Sequence, residues 1–361
     1  MQPIRILIVD DAVVVRSRLS KLLATDPELT VVGVAATGRI AIAKIPQTNP
    51  DVVILDVEMP EMSGLETLQI IRHNYSSLPV IMFSSLTTTG ATATLDALTF
   101  GASDYVTKPS NLGGETLGEQ LQVALIPKIK ALATKASAPK PPPQKVDIFS
   151  QSTPISSASI DIVAIGVSTG GPNALTQLLS QLPADFPVPI VIVQHMPPTF
   201  TKLLAERLNT KCSLLVQEAV MGAVLQPGTI WLAPGDFHIQ VQKMGGTAQL
   251  LLERSPPQNS CRPSVDVLFT SIAQVYQKHC LGVILTGMGQ DGLRGCQDIR
   301  DLGGQIIAQD EASSVVWGMP GFVVQAGLAD AVLPLDRIEA EILRRVRPIS
   351  IASQLGGQPC G

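Results

Sequence analysis

Short apolar runs rich in Val and Ile recur along the chain, each next to a stretch with helical periodicity. The N-terminal runs are IRILIVD, LTVVGVA, DVVILDV, PVIMFSS and ASDYVTK, and the C-terminal runs are DIVAIGV, PVPIVIVQH, CLGVILTG and GGQIIAQD. Runs of this length and composition are typical of strands buried on both faces. Because strands alternate with helices, the sequence predicts an α/β protein with parallel sheets and right-handed crossovers.

A segment rich in Pro, Ser and Ala, ATKASAPKPPPQKVDIFSQSTPISSAS, separates the two groups of runs. Proline-rich sequence favours an extended, semi-stiff tether, and its lysines either solvate it or dock it to an acidic partner. We therefore predict an N-terminal domain over 1–126, a linker over 127–159, a second domain over 160–345 and a tail over 346–361. In the second domain, HIQVQK, a GG turn and TAQLLLE predict an antiparallel hairpin on an otherwise parallel, doubly wound sheet.

Composition and charge argue against several functional classes. The net charge of −4 does not suggest a nucleic-acid partner, which would favour a basic domain. The N-terminus, MQPIRILIVDD, lacks the form of a signal peptide, and no apolar run reaches the roughly 18 residues of a membrane span. The five cysteines are odd in number and have no C-x-x-C spacing. We expect a cytoplasmic monomer with reduced thiols, without membrane insertion.

An acidic cluster is predicted at the carboxyl ends of the N-terminal strands. Asp10 and Asp11 end the first strand and Asp56 ends the third, while Ser84 and Lys108 end the fourth and fifth. Sites in open parallel sheets form beyond these strand ends. Carboxylates that converge there suit Mg²⁺, and Lys and Ser suit phosphoryl oxygens. The cluster predicts a phosphoryl-accepting site; acids that merely cap helices would explain only one or two of these residues.

The stretch IGVSTGG, residues 165–171, follows the first strand of the second domain. Its glycine spacing fits neither G-x-x-x-x-G-K-[ST] nor G-x-G-x-x-G, which weakens the interpretation as a phosphate loop. It does fit G-x-S-x-G, in which a serine, here Ser168, sits on a sharp strand-to-helix turn. His195 ends another strand and is the candidate base, ahead of three other histidines: His73, His238 and His279. Asp291 is the candidate orienting carboxylate, with Asp310 as the alternative.

The motifs ILIVDD, DVVILDVEMPEMSGLE, PVIMFSS and DYVTKP resemble those of response-regulator receiver domains, from about Ile4 to Leu125. The resemblance implies a flavodoxin-like fold of five parallel strands and phosphorylation of Asp56 by a partner histidine kinase. It also implies that Mg²⁺ binds Asp10, Asp11, Asp56 and the backbone carbonyl of Glu58. The implied switch residues are Ser84, Tyr105 and Lys108.

Six motifs follow one another in the second domain: AIGVSTGGP, VIVQHMPPTFTKLLAERLN, IWLAPGDFHI, RPSVDVLF, GVILTGMGQDG and QDEASSVVWGMP. Together they resemble the catalytic domain of chemotaxis protein-glutamate methylesterases, from about Asp161 to Pro334. The resemblance implies a triad of Ser168, His195 and Asp291. It also implies a supporting hydroxyl at Thr169 and an oxyanion-hole N–H at Met288.

The implied reaction is hydrolysis of glutamate γ-methyl esters on chemoreceptors, without a cofactor, and also deamidation of receptor glutamines. The implied regulation is steric, with the unphosphorylated receiver packed over the esterase cleft. The main alternative is a response regulator with a DNA-binding or other non-hydrolytic output. That alternative predicts a helix-turn-helix and a basic face, and neither is evident in the sequence.

Overall fold

The computed structural model describes residues 2–108, 115–137 and 159–346. Its N-terminal domain is a five-stranded parallel sheet in the order β2-β1-β3-β4-β5, with helices between successive strands. The elements are β1 Ile4–Val9, α1 Val13–Leu23, β2 Leu29–Ala35, α2 Gly38–Thr48, β3 Val52–Asp56, α3 Gly64–Asn74, β4 Val80–Ser84, α4 Thr88–Thr99, β5 Asp104–Thr107 and α5 Glu115–Ser137. All five predicted strands are confirmed.

Local sequence signals explain where these helices begin. Ser63 and Glu66 form a capping box at the start of α3, with the Ser63 backbone N–H donating to the Glu66 carboxylate at 2.8 Å. Thr87 accepts a hydrogen bond from the Gly90 N–H at the start of α4. These caps fix the starts of α3 and α4 shortly after β3 and β4, the strands that end in Asp56 and Ser84.

Helix α5 extends further than the sequence analysis predicted. It runs to Ser137, so residues 127–137, which we had placed in the linker, are helical. Leu125, Ile129 and Leu132 recur at helical spacing and are buried against the sheet. Burial of this apolar face outweighs the effect of Pro127 inside the helix. The proline-rich remainder of the linker and the tail after residue 346 lie outside the described residues.

The C-terminal domain contains a seven-stranded parallel sheet in the order β14-β13-β12-β6-β7-β9-β8. Its elements are β6 Ile162–Val167, α6 Gly171–Leu179, β7 Ile190–Gln194, α7 Pro198–Lys211, β8 Leu215–Glu218, β9 Thr229–Leu232, β10 His238–Met244, β11 Thr247–Glu253, α8 Val265–Tyr276, β12 Cys280–Ile284, α9 Leu293–Asp301, β13 Gln305–Gln309, α10 Met319–Gln325, β14 Ala331–Leu333 and α11 Leu335–Val346. The chain adds β7 on one side of β6 and later β12 on the other. Ligand sites are expected at the crevice that such a switch point creates.

The predicted antiparallel hairpin is confirmed as β10 and β11, joined at Gly245 and Gly246, which both have positive φ. It was predicted on the large sheet but forms a two-stranded sheet of its own. The reason is packing, because Ile239, Val241 and Leu250 are buried in a core shared with α8. Strands β8, β9 and β14 were not predicted. Each has only three or four residues, which is too short for periodicity to reveal.

The two domains contact one another through α4 and β5 on the N-terminal side and α7 on the other. The rings of Tyr105 and Phe200 stack with centroids 4.8 Å apart. Arg207 pairs with Asp96, with Nη1 and Oδ1 separated by 2.9 Å. Among the helices that the structure describes, none is long and apolar enough to cross a membrane.

Candidate active site and acidic cluster

Ser168 and His195 follow two neighbouring strands of the large sheet. Val167 at the end of β6 is in register with Gln194 at the end of β7, so the next residue on each strand begins a loop at the same edge. The His195 backbone N–H donates to the Val167 carbonyl at 3.2 Å. Neighbouring strands lie about 4.8 Å apart, so this register places the two residues side by side.

The glycines behind Ser168 serve the geometry of the turn. Gly170 has φ of +79° and precedes α6, and a Cβ there would lie 2.6 Å from Val315 Cβ. A Cβ on Gly171 would lie 1.9 Å from Gln194 Oε1. Gln194 Nε2 in turn donates to the Ser168 carbonyl at 3.0 Å. Gln194 therefore ties the serine turn to the histidine strand, a role that the sequence analysis missed.

His195 and Asp291 form a direct pair, with Nε2 2.8 Å from Oδ2. Asp291 is buried and also accepts hydrogen bonds from Ser264 Oγ at 2.7 Å, the Val265 N–H at 2.7 Å and Asn259 Nδ2 at 2.9 Å. Burial alone would raise the pKa of Asp291, but these donors and His195 hold it below its ordinary value. The site therefore keeps an ionised carboxylate against the imidazole.

The same pairing acts on the histidine in the opposite direction. Burial alone would lower the pKa of His195, but the hydrogen bond to the Asp291 carboxylate and the contact with Cys261 raise it above its ordinary value. With Nε2 engaged by Asp291, Nδ1 is the ring nitrogen left for proton transfer. Nδ1 lies 3.6 Å from Cys261 Sγ. No hydrogen bond joins Ser168 Oγ to this ring within the part of the chain described.

The residues expected to support an oxyanion lie on the two loops that meet at Ser168, since a Cβ on Gly287 would lie 2.9 Å from Ser168 Cβ. Thr169 is buried, and its carbonyl accepts a hydrogen bond from Thr286 Oγ1 at 2.8 Å. Met288 follows Gly287, whose carbonyl accepts from two backbone N–H groups of the next loop, those of Gly318 and Met319. The Met288 N–H makes no hydrogen bond to any other described residue. It is therefore free to donate to a ligand.

The alternative candidates are engaged elsewhere. Asp310 Oδ1 accepts from the backbone N–H and the hydroxyl of Ser313, at 3.0 and 2.6 Å. His238 is buried, and its Nδ1 accepts from the Ser264 N–H at 3.2 Å. His279 Nδ1 contacts the Ser159 carbonyl at 2.7 Å. The sequence analysis missed Asn259 and Ser264 because the segment NSCRPS, residues 259–264, has no periodicity. The clustering of polar residues directly before α8 was the available signal.

In the N-terminal domain, Lys108 Nζ lies 2.9 Å from Asp10 Oδ2 and 2.7 Å from Asp56 Oδ2. Carboxylate oxygens of Asp10, Asp11 and Asp56 lie within 4.8 Å of one another. Burial, opposed by Lys108 and reinforced by Asp10, raises the pKa of Asp56 to about 6. Asp56 Oδ2 is buried and, among the described residues, has no partner in a hydrogen-bonding direction. This oxygen-only donor set, with the Lys108 ammonium beside Asp56 Oδ2, fits Mg²⁺ and a phosphoryl acceptor.

The remaining predicted residues lie around this cluster. The Glu58 N–H donates to Asp56 Oδ1 at 3.2 Å, which places the Glu58 peptide in the same loop. Ser84 Oγ donates to the Gly90 carbonyl at 3.0 Å and therefore faces α4. Tyr105 is buried against Phe200, and burial raises the pKa of its hydroxyl well above the ordinary value.

Comparison with known proteins agrees with this two-part organisation. The response regulator receiver domain family matches residues 6–115, and the CheB methylesterase family matches residues 163–342. A protein of Trichodesmium erythraeum named protein-glutamate methylesterase/protein-glutamine glutaminase is 55% identical over 351 residues, covering 96% of this chain and all of that one. A protein of the same name from a Nocardioides species is 47% identical, covering 96% of each chain.

The solved structures include a close counterpart of the second domain. The crystal structure of the Thermotoga maritima CheB methylesterase catalytic domain is 44% identical, covers 52% of this chain and 99% of that one, and superimposes with a TM-score of 0.51. The relatives match nearly the whole chain, and the solved structure matches the fold of its second domain. The chain belongs to the protein-glutamate methylesterase/protein-glutamine glutaminase family, with a receiver domain preceding a CheB methylesterase domain.

Proposed function

We propose that this protein is a phosphorylation-regulated serine hydrolase that removes methyl groups from glutamate γ-methyl esters on the cytoplasmic domains of chemoreceptors. Its relatives carry the names of both a methylesterase and a glutaminase, so the same site should also deamidate receptor glutamines. The observation that carries the proposal is the 2.8 Å contact between His195 Nε2 and Asp291 Oδ2 beside the strand tip that bears Ser168.

In the proposed reaction Ser168 Oγ attacks the ester carbonyl while His195 Nδ1 takes the hydroxyl proton. A rotation of the Ser168 side chain toward the ring precedes this step. The oxyanion is stabilised by the Met288 N–H and by N–H groups at the start of α6. His195 then returns the proton to the leaving methoxide, which departs as methanol. Water, activated by the same histidine, hydrolyses the acyl-serine and regenerates the hydroxyl.

Asp291 supports these reaction steps without gaining or losing a proton itself. Its low pKa keeps it ionised, so it stabilises the imidazolium that forms in each transition state and fixes the ring with Nδ1 available. Its own position is fixed by Ser264, Asn259 and the start of α8. The ester hydrolysis uses no metal or organic cofactor in this scheme.

In the receiver, Asp56 accepts a phosphoryl group from a partner histidine kinase. Asp10, Asp11, Asp56 and the Glu58 carbonyl would hold Mg²⁺, which when bound neutralises the charge of the carboxylates and the phosphoryl oxygens. Lys108 already contacts Asp56 and would bind the new phosphoryl group. Ser84 must leave the Gly90 carbonyl to reach that group, and this rearrangement moves α4 and the adjoining Tyr105 face.

The contacts between the domains support steric inhibition in the unphosphorylated state. Val316 is buried in an apolar cluster whose other buried members all belong to the receiver, and Met288 and Val315 pack against that cluster. Met288 and Val315 are also neighbours of the proposed oxyanion hole and of the Ser168 turn. A shift of the receiver would therefore uncover the site directly.

The proposal is tested by methanol release from methylated receptor membranes, using the full chain with and without a small phosphodonor. Ser168→Ala should lower turnover by on the order of 10⁶. Asp56→Ala should retain basal release but lose its stimulation by the phosphodonor. Undiminished release by Ser168→Ala would exclude the proposed chemistry, and wild-type release indifferent to phosphodonor would exclude the proposed regulation.

A further inference from the structure

Cys261 contacts the proposed catalytic base but takes no part in the proposed hydrolysis. Its Sγ lies 3.6 Å from His195 Nδ1, the ring nitrogen opposite the one that Asp291 binds. Ligand atoms of His195, Cys261 and Asp291 all lie within 4.8 Å of one another. Cys261 is half-buried, whereas Cys280 and Cys296 are fully buried in the core. Cys261 is therefore a partly accessible soft ligand beside an imidazole.

The geometry of this pair matches one edge of a tetrahedral zinc site. Zinc binds thiolate sulfur at about 2.3 Å and imidazole nitrogen at about 2.0–2.1 Å, so at a tetrahedral angle the two ligand atoms are separated by roughly 3.5 Å. The separation of Sγ and Nδ1 is 3.6 Å. No large movement of either side chain is needed for both atoms to reach one cation.

The other side of the ring has the arrangement usual for a metal-binding histidine. Such histidines typically donate their second ring N–H to a carboxylate, which fixes the tautomer and raises the basicity of the ligand nitrogen. Here Nε2 contacts Asp291 Oδ2 at 2.8 Å. Ser264, Asn259 and Val265 also donate to Asp291, so it supports the ring from behind and is not itself free to bind a cation.

We propose that the esterase site binds Zn²⁺ between Cys261 Sγ and His195 Nδ1, and that this binding inhibits hydrolysis. The inhibition rests on the proposed function, because the cation occupies the lone pair of Nδ1 that must accept the Ser168 proton. The Cys261 thiol loses its proton to solvent when the cation binds, and water completes the coordination. Thiolate and imidazole ligands select Zn²⁺ over Mg²⁺, which prefers the oxygen ligands of the receiver.

Binding is measured separately from catalysis, on the full chain in excess Mg²⁺ with a reductant that does not bind metals. The probe is Co²⁺, whose thiolate charge-transfer absorption reports a Cys ligand. We expect the band in wild type and in Ser168→Ala, and its loss in Cys261→Ser and Cys261→Ala. The matched control is Cys212→Ser, because Cys212 is also half-buried but lies outside this cluster. An equal band in wild type and both Cys261 variants would overturn the site.

Inhibition is then measured as methanol release against Zn²⁺ concentration, with each variant normalised to its own zinc-free rate. Loss of the carboxylate that supports a metal-binding histidine typically lowers metal affinity 10–100-fold. Cys261 is a direct ligand in this proposal, so its loss should cost at least as much and raise the inhibitory Zn²⁺ concentration by roughly tenfold or more. Unchanged inhibition in Cys261→Ser would refute the proposal. If Ser168→Ala binds Co²⁺ but still releases methanol, the proposed function fails while the metal site stands.

Discussion

At the scale of single residues, Asp291 shows how a buried carboxylate is kept ionised. Its carboxylate is 2% exposed, and burial without partners would favour the protonated form. Donors from two segments, residues 259–266 and His195, reverse that preference. The donors from residues 259–266 therefore support the proposed base, His195, although none of them contacts the substrate in the proposed mechanism.

The Ser264 hydroxyl offers the cleanest test of this support. Ser264→Ala removes one hydrogen-bond donor to Asp291. It does not remove a helix cap, because the Ser264 hydroxyl makes no capping hydrogen bond to α8. A hydrogen bond to a charged group contributes about 1.5–3 kcal/mol, so we expect kcat/KM to fall by about tenfold or more. Ser255→Ala is the control, since its hydroxyl bonds Glu253 away from the site. Wild-type kinetics for Ser264→Ala would contradict the role assigned to this donor.

The pH dependence of the rate follows from the pKa of His195. The proposed reaction needs the neutral ring, and pairing with Asp291 together with the Cys261 contact raises the pKa of His195 above 6.5. Activity should therefore fall as the pH drops through a value above 6.5. In Asp291→Asn the carboxylate charge is gone while burial and the Cys261 contact remain, so the acid limb of the residual kcat/KM should move to lower pH. The check is a kcat/KM–pH profile of both proteins, and coincident acid limbs would count against the pairing.

At the scale of elements, the site depends on loops that begin at the ends of parallel strands. Register places Ser168 and His195 side by side, and the loop after β12 supplies Met288 and Asp291. Gly170 lets the chain turn from β6 into α6 in a left-handed conformation. The geometry of the turn therefore depends on the left-handed conformation of Gly170 and on the space around that residue.

Gly170→Ala should destabilise the esterase domain more than an ordinary substitution of a left-handed glycine. A left-handed conformation costs a residue with a Cβ about 1–2 kcal/mol. At Gly170 the added Cβ would also lie 2.6 Å from Val315, whereas at Gly222, with φ of +76°, it would meet nothing within 4 Å. Urea unfolding should show a larger loss for Gly170→Ala than for Gly222→Ala. Equal losses would mean that the turn relaxes around the new methyl group.

At the scale of the whole molecule, the receiver and the esterase share an interface of modest individual contacts. Asn173 Nδ2 donates to the Leu98 carbonyl at 2.7 Å, and Arg207 pairs with Asp96. The stack of Tyr105 on Phe200 joins a predicted switch residue to the helix that begins shortly after His195. Such an interface can be released by a small change in the receiver.

Breaking the Arg207–Asp96 pair should raise basal methanol release without phosphodonor. The pair is partly exposed, so it is worth roughly 0.2–1 kcal/mol and its loss should increase the basal rate by at most about fivefold. Arg207→Asp combined with Asp96→Arg should restore the wild-type rate. Arg254→Ala, which breaks a pair within the esterase domain, is the control. A basal rate unaffected by Arg207→Ala would argue that the pair does not hold the receiver in place.

The sequence by itself determined the α/β class, the principal strands and the candidate residues at their ends. Buried strands and strand-end polar residues are local patterns, and the motifs carry the family resemblance. Only the tertiary structure decided that Asp291, and not Asp310, contacts His195, through Nε2. It also decided that Cys261 lies against Nδ1 and that α5 continues to Ser137. His195 and Asp291 are 96 residues apart, so their contact depends on strand order and register, which result from packing of the whole domain and are not encoded in any local window.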